Sequence, residues 1–190
     1  GGEMNASATL ENRSVYQVKG ALNHFDLGAL AALAMSKPPG YGGVISGPFQ
    51  AQGDLNAKHS LQASANHGIA PTARGVPVRG QLNARYDSRG DTVILNPSYI
   101  ALPASRLDLS GSLGQQITLT LKSRNLADFQ PVMALASSSQ PARIPLQIDA
   151  GGLAEVDASI SGKLSSPTIG AHLSITKFEA EQRRFDIVDA

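Results

Sequence analysis

Apolar residues recur at every second position along most of this 190-residue chain, and the residues between them are polar. Because successive side chains of a strand point to opposite faces, this period predicts strands with one apolar face and one solvated face. Gly, Pro, Asn or Asp bounds each run, and turn sequences stand at 87–91 (DSRGD) and 112–116 (SLGQQ). The pattern is typical of antiparallel strands joined in a meander.

The predicted apolar face consists of the inward positions of these runs, and we expect it to contact lipid or polypeptide. Gly162 and Pro167 are expected to set the turn between two of its strands. The predicted lining residues are Val76, Val78, Leu82, Leu107, Leu109, Leu113, Ile117, Leu119, Leu121, Leu146, Ile148, Val156, Ile160, Leu164, Ile169, Leu173 and Ile175.

Two segments replace the two-residue period with helical spacing, FDLGALAALAM at 25–35 and LADFQPVMALA at 126–136. Asp26 and Asp128 are the expected N-caps, and Pro131 suits the first turn of the second helix. We expect two short amphipathic helices that plug or cover edges of the sheet. Their apolar stripes are Leu27, Leu30, Ala31 and Ala34, and Phe129, Val132, Met133 and Ala136.

The two helical segments also look like copies of one unit. VKGALNHFDLGALAALA, from Val18, matches LKSRNLADFQPVMALA, from Leu121, and the period is about 105 residues. We therefore expect one continuous array, with a first β-groove repeat at 15–120 and a truncated second repeat at 121–190. Residues 1–14 are expected to be a tag scar that is disordered or forms an edge segment. The whole chain is expected to be a piece of a longer protein.

The polar residues show no pattern typical of a catalytic centre. His24, His59, His67 and His172 lie far apart without metal-ligand spacing, so we expect them at surface or edge positions. The glycine-rich GYGGVISG at 40–47 lacks the lysine of a phosphate loop and is expected to be a connector. The sequence predicts no enzyme, no catalytic or metal-binding residue and no cofactor.

Charge also excludes a class of partner. Sixteen basic and fifteen acidic residues give a net charge of +1, and they are spread along the chain. We therefore expect no nucleic-acid partner. There is no cysteine, which fits a reducing cytosol or an envelope protein without disulfides.

The apolar face needs cover, and two short helices are too few for about a dozen strands. The sheet must therefore curl or fold over on itself. Because the chain has only nine aromatic residues and many Ala and Gly, a wide, incompletely filled interior is expected. The predicted fold is mainly β, with meandering antiparallel strands that form a curled, taco-like or grooved sheet with an apolar interior, plus the two helices.

Three stretches carry a resemblance to a known family, namely 104–133, 144–162 and 158–175. The last of them, ASISGKLSSPTIGAHLSI, runs from an alternating strand through Gly-x-Leu and Pro-x-Ile to another strand. The chain resembles the TamB (translocation and assembly module) family of the AsmA-like superfamily. The similarity covers most of residues 15–190 and is strongest from about Gly80 onward.

The resemblance implies a segment in the bacterial periplasm, within a full-length protein anchored in the inner membrane. It implies a groove that conducts or shields phospholipid acyl chains between the two membranes and so contributes to outer-membrane biogenesis. The implied partners are phospholipid, an outer-membrane barrel partner of the BamA type that acts through the full-length protein, and neighbouring repeats of the same chain. A chaperone-like module that binds β-strands of outer-membrane proteins and a purely structural spacer remain as alternatives.

Overall fold

The computed structural model describes residues 2–34, 40–113, 115–136, 144–163 and 166–190. Two helical segments interrupt the strands: α1 is Leu27–Ala34, and a 3₁₀ turn at Leu126–Phe129 leads into α2 at Gln130–Ala136. The strands within these ranges are β1 Glu3–Glu11, β2 Val15–Asp26, β3 Tyr41–Asp54, β4 Gln62–Pro71, β5 Val76–Pro77, β6 Arg79–Asp87, β7 Thr92–Ala101, β8 Ser105–Ser112, β9 Gln116–Ser123, β10 Leu146–Lys163, β11 Ser166–Ala180 and β12 Arg183–Asp189.

All twelve strands of the described chain belong to one sheet in the order β1-β2-β3-β4-β6-β7-β8-β9-β10-β11-β12. Neighbours on this path pair antiparallel, and β5 lies off the path, parallel to the start of β3. Apart from β5, strands that are consecutive in sequence are therefore adjacent in the sheet. In the described ranges β1 and β12 are the two edges, so the sheet is not closed. The expectation of a mainly β meander with two short helices is confirmed.

Directly paired residues project to the same face of a sheet, and two of these cross-strand rows are almost wholly apolar. One row crosses ten strands, through Ala6, Gly20, Phe49, Ala65, Ala84, Leu95, Gly111, Ile117, Ile160 and Ile169. The second crosses nine strands, through Phe25, Ile45, Ile69, Gly80, Ile100, Leu107, Leu121, Val156 and Leu173. We call the side that carries both rows the apolar face.

Two β-bulges keep the rows on one face. The rows are four residues apart on seven of the strands, but five apart on β2 and β7. In both strands the register shifts by one, between Leu22 and Phe25 in β2 and between Leu95 and Ser98 in β7. Since a one-residue slip turns every side chain to the other face, each bulge restores the apolar alternation.

Hydroxyl groups satisfy the backbone where the bulges disturb the ladder. At the β2 bulge the His24 amide donates to Ser46 Oγ at 2.9 Å. At the β7 bulge Ser98 Oγ accepts from the Asn83 amide at 2.9 Å and donates to the Asn96 carbonyl at 2.8 Å. An unsatisfied backbone group in a sheet is destabilising, so these serines stabilise the irregular points of the sheet.

Both helical segments lie at the same end of the sheet. α1 follows β2 and the 3₁₀ turn with α2 follows β9, and these two strands run in the same direction. We call this the helical end; the opposite, turn end carries the reversals that follow β1, β3, β6, β8 and β10. Gly162 adopts a φ of +88° and pairs with Pro167 at the β10–β11 reversal, as expected for that turn.

The expected cap of the first helix is confirmed, and that of the second is wrong. The Ala29 amide donates to Asp26 Oδ1 at 2.9 Å. In the second segment the helix starts earlier than expected, because Asn125 is the cap and its Oδ1 accepts from the Ala127 amide at 3.0 Å. Asp128 therefore falls inside the first turn, where its carboxylate serves a different purpose.

The expectation of a connector at 40–47 is also wrong, because β3 begins at Tyr41. Glycine is needed here because another part of the chain packs closely against the backbone of β3. A Cβ at Gly42 would collide with the carbonyl oxygen of Arg74, since β5 runs directly alongside this part of β3. The glycines thus allow close backbone approach within the sheet, not a flexible loop.

We predict that Ser98→Ala destabilises the fold by about 1–3 kcal/mol, because it leaves the buried backbone at the β7 bulge without its hydroxyl partner. The measurement is the free energy of unfolding from urea denaturation followed by circular dichroism. Ser7→Ala, an exposed serine on edge strand β1, is the matched control and should stay within about 0.5 kcal/mol of the parent. Equal effects from the two substitutions would contradict this role of Ser98.

Candidate apolar binding site

An apolar pocket of about 430 Å³ lies at the helical end, between the two helical segments and the apolar face. Residues from both helical segments and from six strands of the main sheet path converge on it. The lining residues are Leu27, Gly28, Tyr41, Ile69, Val78, Leu82, Ile100, Leu102, Ser105, Arg106, Leu107, Leu121, Phe129 and Val132. Pockets of this size that are lined by aliphatic side chains are typical ligand sites in proteins.

The sheet wall of the pocket follows from strand register. Ile100, Leu107 and Leu121 are direct cross-strand partners on β7, β8 and β9. Beside them, Ile69 and Val78 are fully buried members of a hydrophobic cluster that includes Ile45. The wall is thus a continuous aliphatic surface, held in place by the backbone ladder of the sheet.

The helical wall is formed by one side chain of α1 and two of the second segment. Leu27 and Leu30 pack against the buried cluster of the sheet and hold α1 on the apolar face. Phe129 and Val132 come from the end of the 3₁₀ turn and from α2. The two helices, expected to plug or cover sheet edges, therefore share one pocket on the face.

A buried carboxylate fixes the second helical segment to the sheet. Asp128 is only 6% exposed, and its Oδ2 accepts from the Ala104 amide at 2.8 Å and from Ser105 Oγ at 2.7 Å. Ser105 Oγ in turn lies 2.8 Å from Oγ of Ser123, which is 1% exposed. Since a buried charge is tolerated only when it is well hydrogen-bonded, this network ties the residue before Phe129 firmly to β8 and β9.

Tyr41 joins the two helix-bearing halves of the chain. Its hydroxyl donates to the backbone carbonyl of Asp128 at 3.0 Å, although 87 residues separate them. Burial and the neighbouring Asp128 carboxylate raise the pKa of Tyr41 above its usual value, so the phenol keeps its proton and remains a donor. We call the group of Tyr41, Ser105, Ser123 and Asp128 the polar clasp.

Four of the predicted lining residues meet in the pocket: Val78, Leu82, Leu107 and Leu121. A second cluster, around buried Ala154 and Phe178, gathers four others, Leu146, Ile148, Leu173 and Ile175. The middle of the apolar face carries Leu109, Leu119, Val156 and Ile160, which are half-buried. The predicted set is therefore spread along the face and does not form a single site.

The remaining predicted residues lie elsewhere. Leu113 and Ile117 are buried at the turn end, and Val76 belongs to β5, off the main path. Ile169 is 66% exposed near the β10–β11 reversal. Leu164 lies outside the described residues.

Sequence reasoning missed part of the pocket. The sequence predicts Leu27, Phe129 and Val132 as helix stripes that cover sheet edges and Tyr41 as part of a connector, whereas all four line the pocket. Ile69 and Ile100 belong to strands that the alternation indicates only weakly, and Leu102 lies just after the end of β7. The signal that was present is the pair of matching helical segments, since helices at equivalent positions of a meander lie at one end of its sheet.

The expected surface or edge position is wrong for one of the four histidines, His67. It is 9% exposed, on the apolar face between Ala65 and Ile69 and opposite Leu82 on β6. The other three histidines are exposed, as expected. Burial lowers the pKa of His67 below its usual value, so the folded protein favours the neutral imidazole.

Among the residues that the structure describes, no cluster of three or more His, Asp or Glu side chains is arranged to hold a metal ion. Neither α1 nor the second helical segment, nor any other helix in the ranges described, has the length and apolarity to cross a membrane.

Comparisons with known proteins found no family model, no curated protein and no solved structure that matches this chain. The function is therefore inferred from the chain's own residues.

We predict that His67 makes stability fall on acidification. The unfolded chain binds a proton with a pKa of about 6.5, whereas the folded protein resists it, so the free energy of unfolding should decrease as pH falls from about 7 to about 5. His67→Leu should remove this part of the pH dependence, and His59→Gln, at an exposed turn, should retain it. Urea titrations at several pH values measure both; identical pH slopes for the two variants would show that His67 is not responsible.

Proposed function

We propose that this chain is a periplasmic segment of a TamB/AsmA-like envelope protein, and that its apolar face shields phospholipid acyl chains as they pass between the inner and outer membranes. In this proposal the sheet curls into a groove whose interior is the apolar face. The single observation that carries it is the pair of apolar rows that cross nine and ten strands in register.

The partial exposure of these rows favours an open groove rather than a closed core. Most row members in the described chain are half-buried, among them Phe49, Leu95, Leu107 and Ile160. A sheet face packed against a second layer would bury such large side chains more fully. Large apolar surface that stays partly accessible in a folded protein is typical of a surface that binds an apolar partner.

The polar clasp supports curvature of the sheet. Tyr41 starts β3, whereas Asp128 is bonded to Ala104 and Ser105 at the start of β8. β3 and β8 are four strand spacings apart, which is about 19 Å in a flat sheet and far beyond the reach of a tyrosine side chain. A hydrogen bond of 3.0 Å across this separation favours a sheet that curls at the helical end.

The energetics of such a groove suit transfer without a tight binding site. Each buried methylene contributes about 0.8 kcal/mol, so ten methylenes contribute roughly 8 kcal/mol. That is enough to keep an acyl chain out of water. A wall of aliphatic side chains provides no directional contacts, and a chain can therefore slide along it.

A second candidate function is strand binding, and the edges of the sheet favour it. All nine residues of β1 and all seven of β12 are exposed, so both edges are accessible to an added strand. An unfolded strand of an outer-membrane protein is the occupant that this alternative requires. The third possibility, a spacer with no ligand, requires that nothing occupies the apolar face.

We predict that photo-crosslinkers at Leu109, Leu119 or Ile160 form phospholipid adducts in living cells, because these positions lie in the middle of the apolar face. Mass spectrometry of the crosslinked protein identifies what is attached. Thr118 and Ser159 are matched controls, since they are the direct chain neighbours of Leu119 and Ile160 and project to the opposite face.

Adducts of equal yield on both faces would contradict the proposal. Adducts to polypeptide in place of lipid would support strand binding, and no adduct at any face position would support the spacer.

A further inference from the structure

We propose that the pocket at the helical end is a discrete site for the hydrocarbon end of one acyl chain, which enters tail first. This inference rests on the proposed function. It adds that an acyl chain binds at a defined position, with a stoichiometry of one and a limit on chain length. Three features of the pocket carry it: its polar lining groups, its volume and its position on the apolar face.

Both side-chain hydroxyls that line the pocket among the described residues have a partner within the protein. Ser105 Oγ is bonded to Asp128, and the Tyr41 hydroxyl is bonded to the Asp128 carbonyl. Arg106 alternates with Leu107 along β8, so its guanidinium projects to the opposite face of the sheet, where it bonds the Asp108 carboxylate at 2.8 to 3.0 Å and lies 4.2 Å from the centre of the Tyr99 ring. Within the described residues, the pocket therefore presents no side-chain charge and no unpaired side-chain hydroxyl to a ligand.

The lack of unpaired polar groups determines which part of a lipid the pocket can bind. A headgroup phosphate or a carboxylate that entered the pocket would lose its hydration without gaining a partner, which is strongly unfavourable. A hydrocarbon tail loses nothing and gains aliphatic contacts with Ile69, Leu82 and Leu121. Because the described lining offers no charge, it is complementary to an uncharged, apolar group.

The volume indicates one chain and not two. An apolar cavity of about 150 Å³ is known to hold one benzene, which has six carbons. The pocket, at about 430 Å³, is nearly three times larger. In the same proportion it has room for about 17 carbons, the length of one long acyl chain.

The position of the pocket sets the direction of entry. Leu27, Phe129 and Val132 close it on the side of the helices. The apolar face continues from it toward the turn end, through cross-strand partners such as Leu109, Leu119 and Ala158. The methyl end of the chain therefore reaches the helices first, and the polar end remains on the face or in solvent.

The test measures Kd against chain length, with the intact chain and saturated lysophosphatidylcholines of about 8 to about 20 carbons, kept below their critical micelle concentration. Kd should fall about fourfold for each added methylene. The fall should become markedly shallower beyond about 17 carbons, where the pocket is full and further methylenes lie on the more open apolar face. Isothermal titration calorimetry gives both Kd and the expected stoichiometry of one.

Two variants should move this limit in opposite directions. Val132→Trp, at a position on α2 that is 47% exposed and tolerant of change, fills part of the pocket and should shift the limit to shorter chains. Leu82→Ala enlarges the pocket and should shift it to longer chains. Ile169→Trp is the matched control, because it is exposed on the apolar face outside the pocket and should leave the limit unchanged.

A Kd that falls without a break through the longest chain, or a limit that Val132→Trp and Ile169→Trp move equally, would overturn the discrete site. If the crosslinkers at Leu109 and Leu119 still gave phospholipid adducts, the proposed function would stand without it. Absence of binding at every chain length, together with absence of those adducts, would overturn both proposals.

Discussion

The constraint on which this structure depends is an apolar face that runs in register across ten strands with little chain left to cover it. Burial of apolar surface is the main driving force of folding, so a face of this kind must be covered by the chain itself or by something else. α1 and the second helical segment cover only the helical end, where the buried cluster of Ile45, Ile69 and Val78 lies. Much of the rest of the face stays half-buried. The proposed role in lipid shielding follows from this shortage of cover.

The polar clasp holds a short helix over the apolar face. The 3₁₀ turn and α2 together span eleven residues, too few to be stable without tertiary contacts. Asp128 anchors them through the Ala104 amide and Ser105, and Tyr41 adds a contact from the far side. A buried network of this kind rigidifies the structure when every member is satisfied, and it also leaves the adjoining pocket purely apolar.

Local pattern predicted much of the fold, because the period of two and the turn residues act within a few positions. The strands around Leu107, Leu119 and Val156, the two helices and the Asp26 cap all followed from it. The failures concern long-range contacts. Local pattern predicts Asp128 as the helix cap, but the cap is Asn125 and the Asp128 carboxylate bonds residues of β8.

The same reason explains the other misses. Gly42 looked like a loop residue because the approach of Arg74, far along the chain, is invisible to local pattern. The pocket was missed since it exists only where two segments about a hundred residues apart meet on one face. The bulges on β2 and β7 also have no local signal, because each corrects the register with a neighbouring strand.

The most direct test of the central claim is mass spectrometry of the lipids that co-purify with this chain after expression in a bacterial periplasm. The account predicts that phospholipid is retained in roughly stoichiometric amount, and that Leu119→Arg, which places a charge on the apolar face, loses it. Thr118→Arg, one residue away on the opposite face, should retain it. A chain that purifies free of phospholipid, or two variants that retain equal amounts, would contradict the claim that this face shields acyl chains.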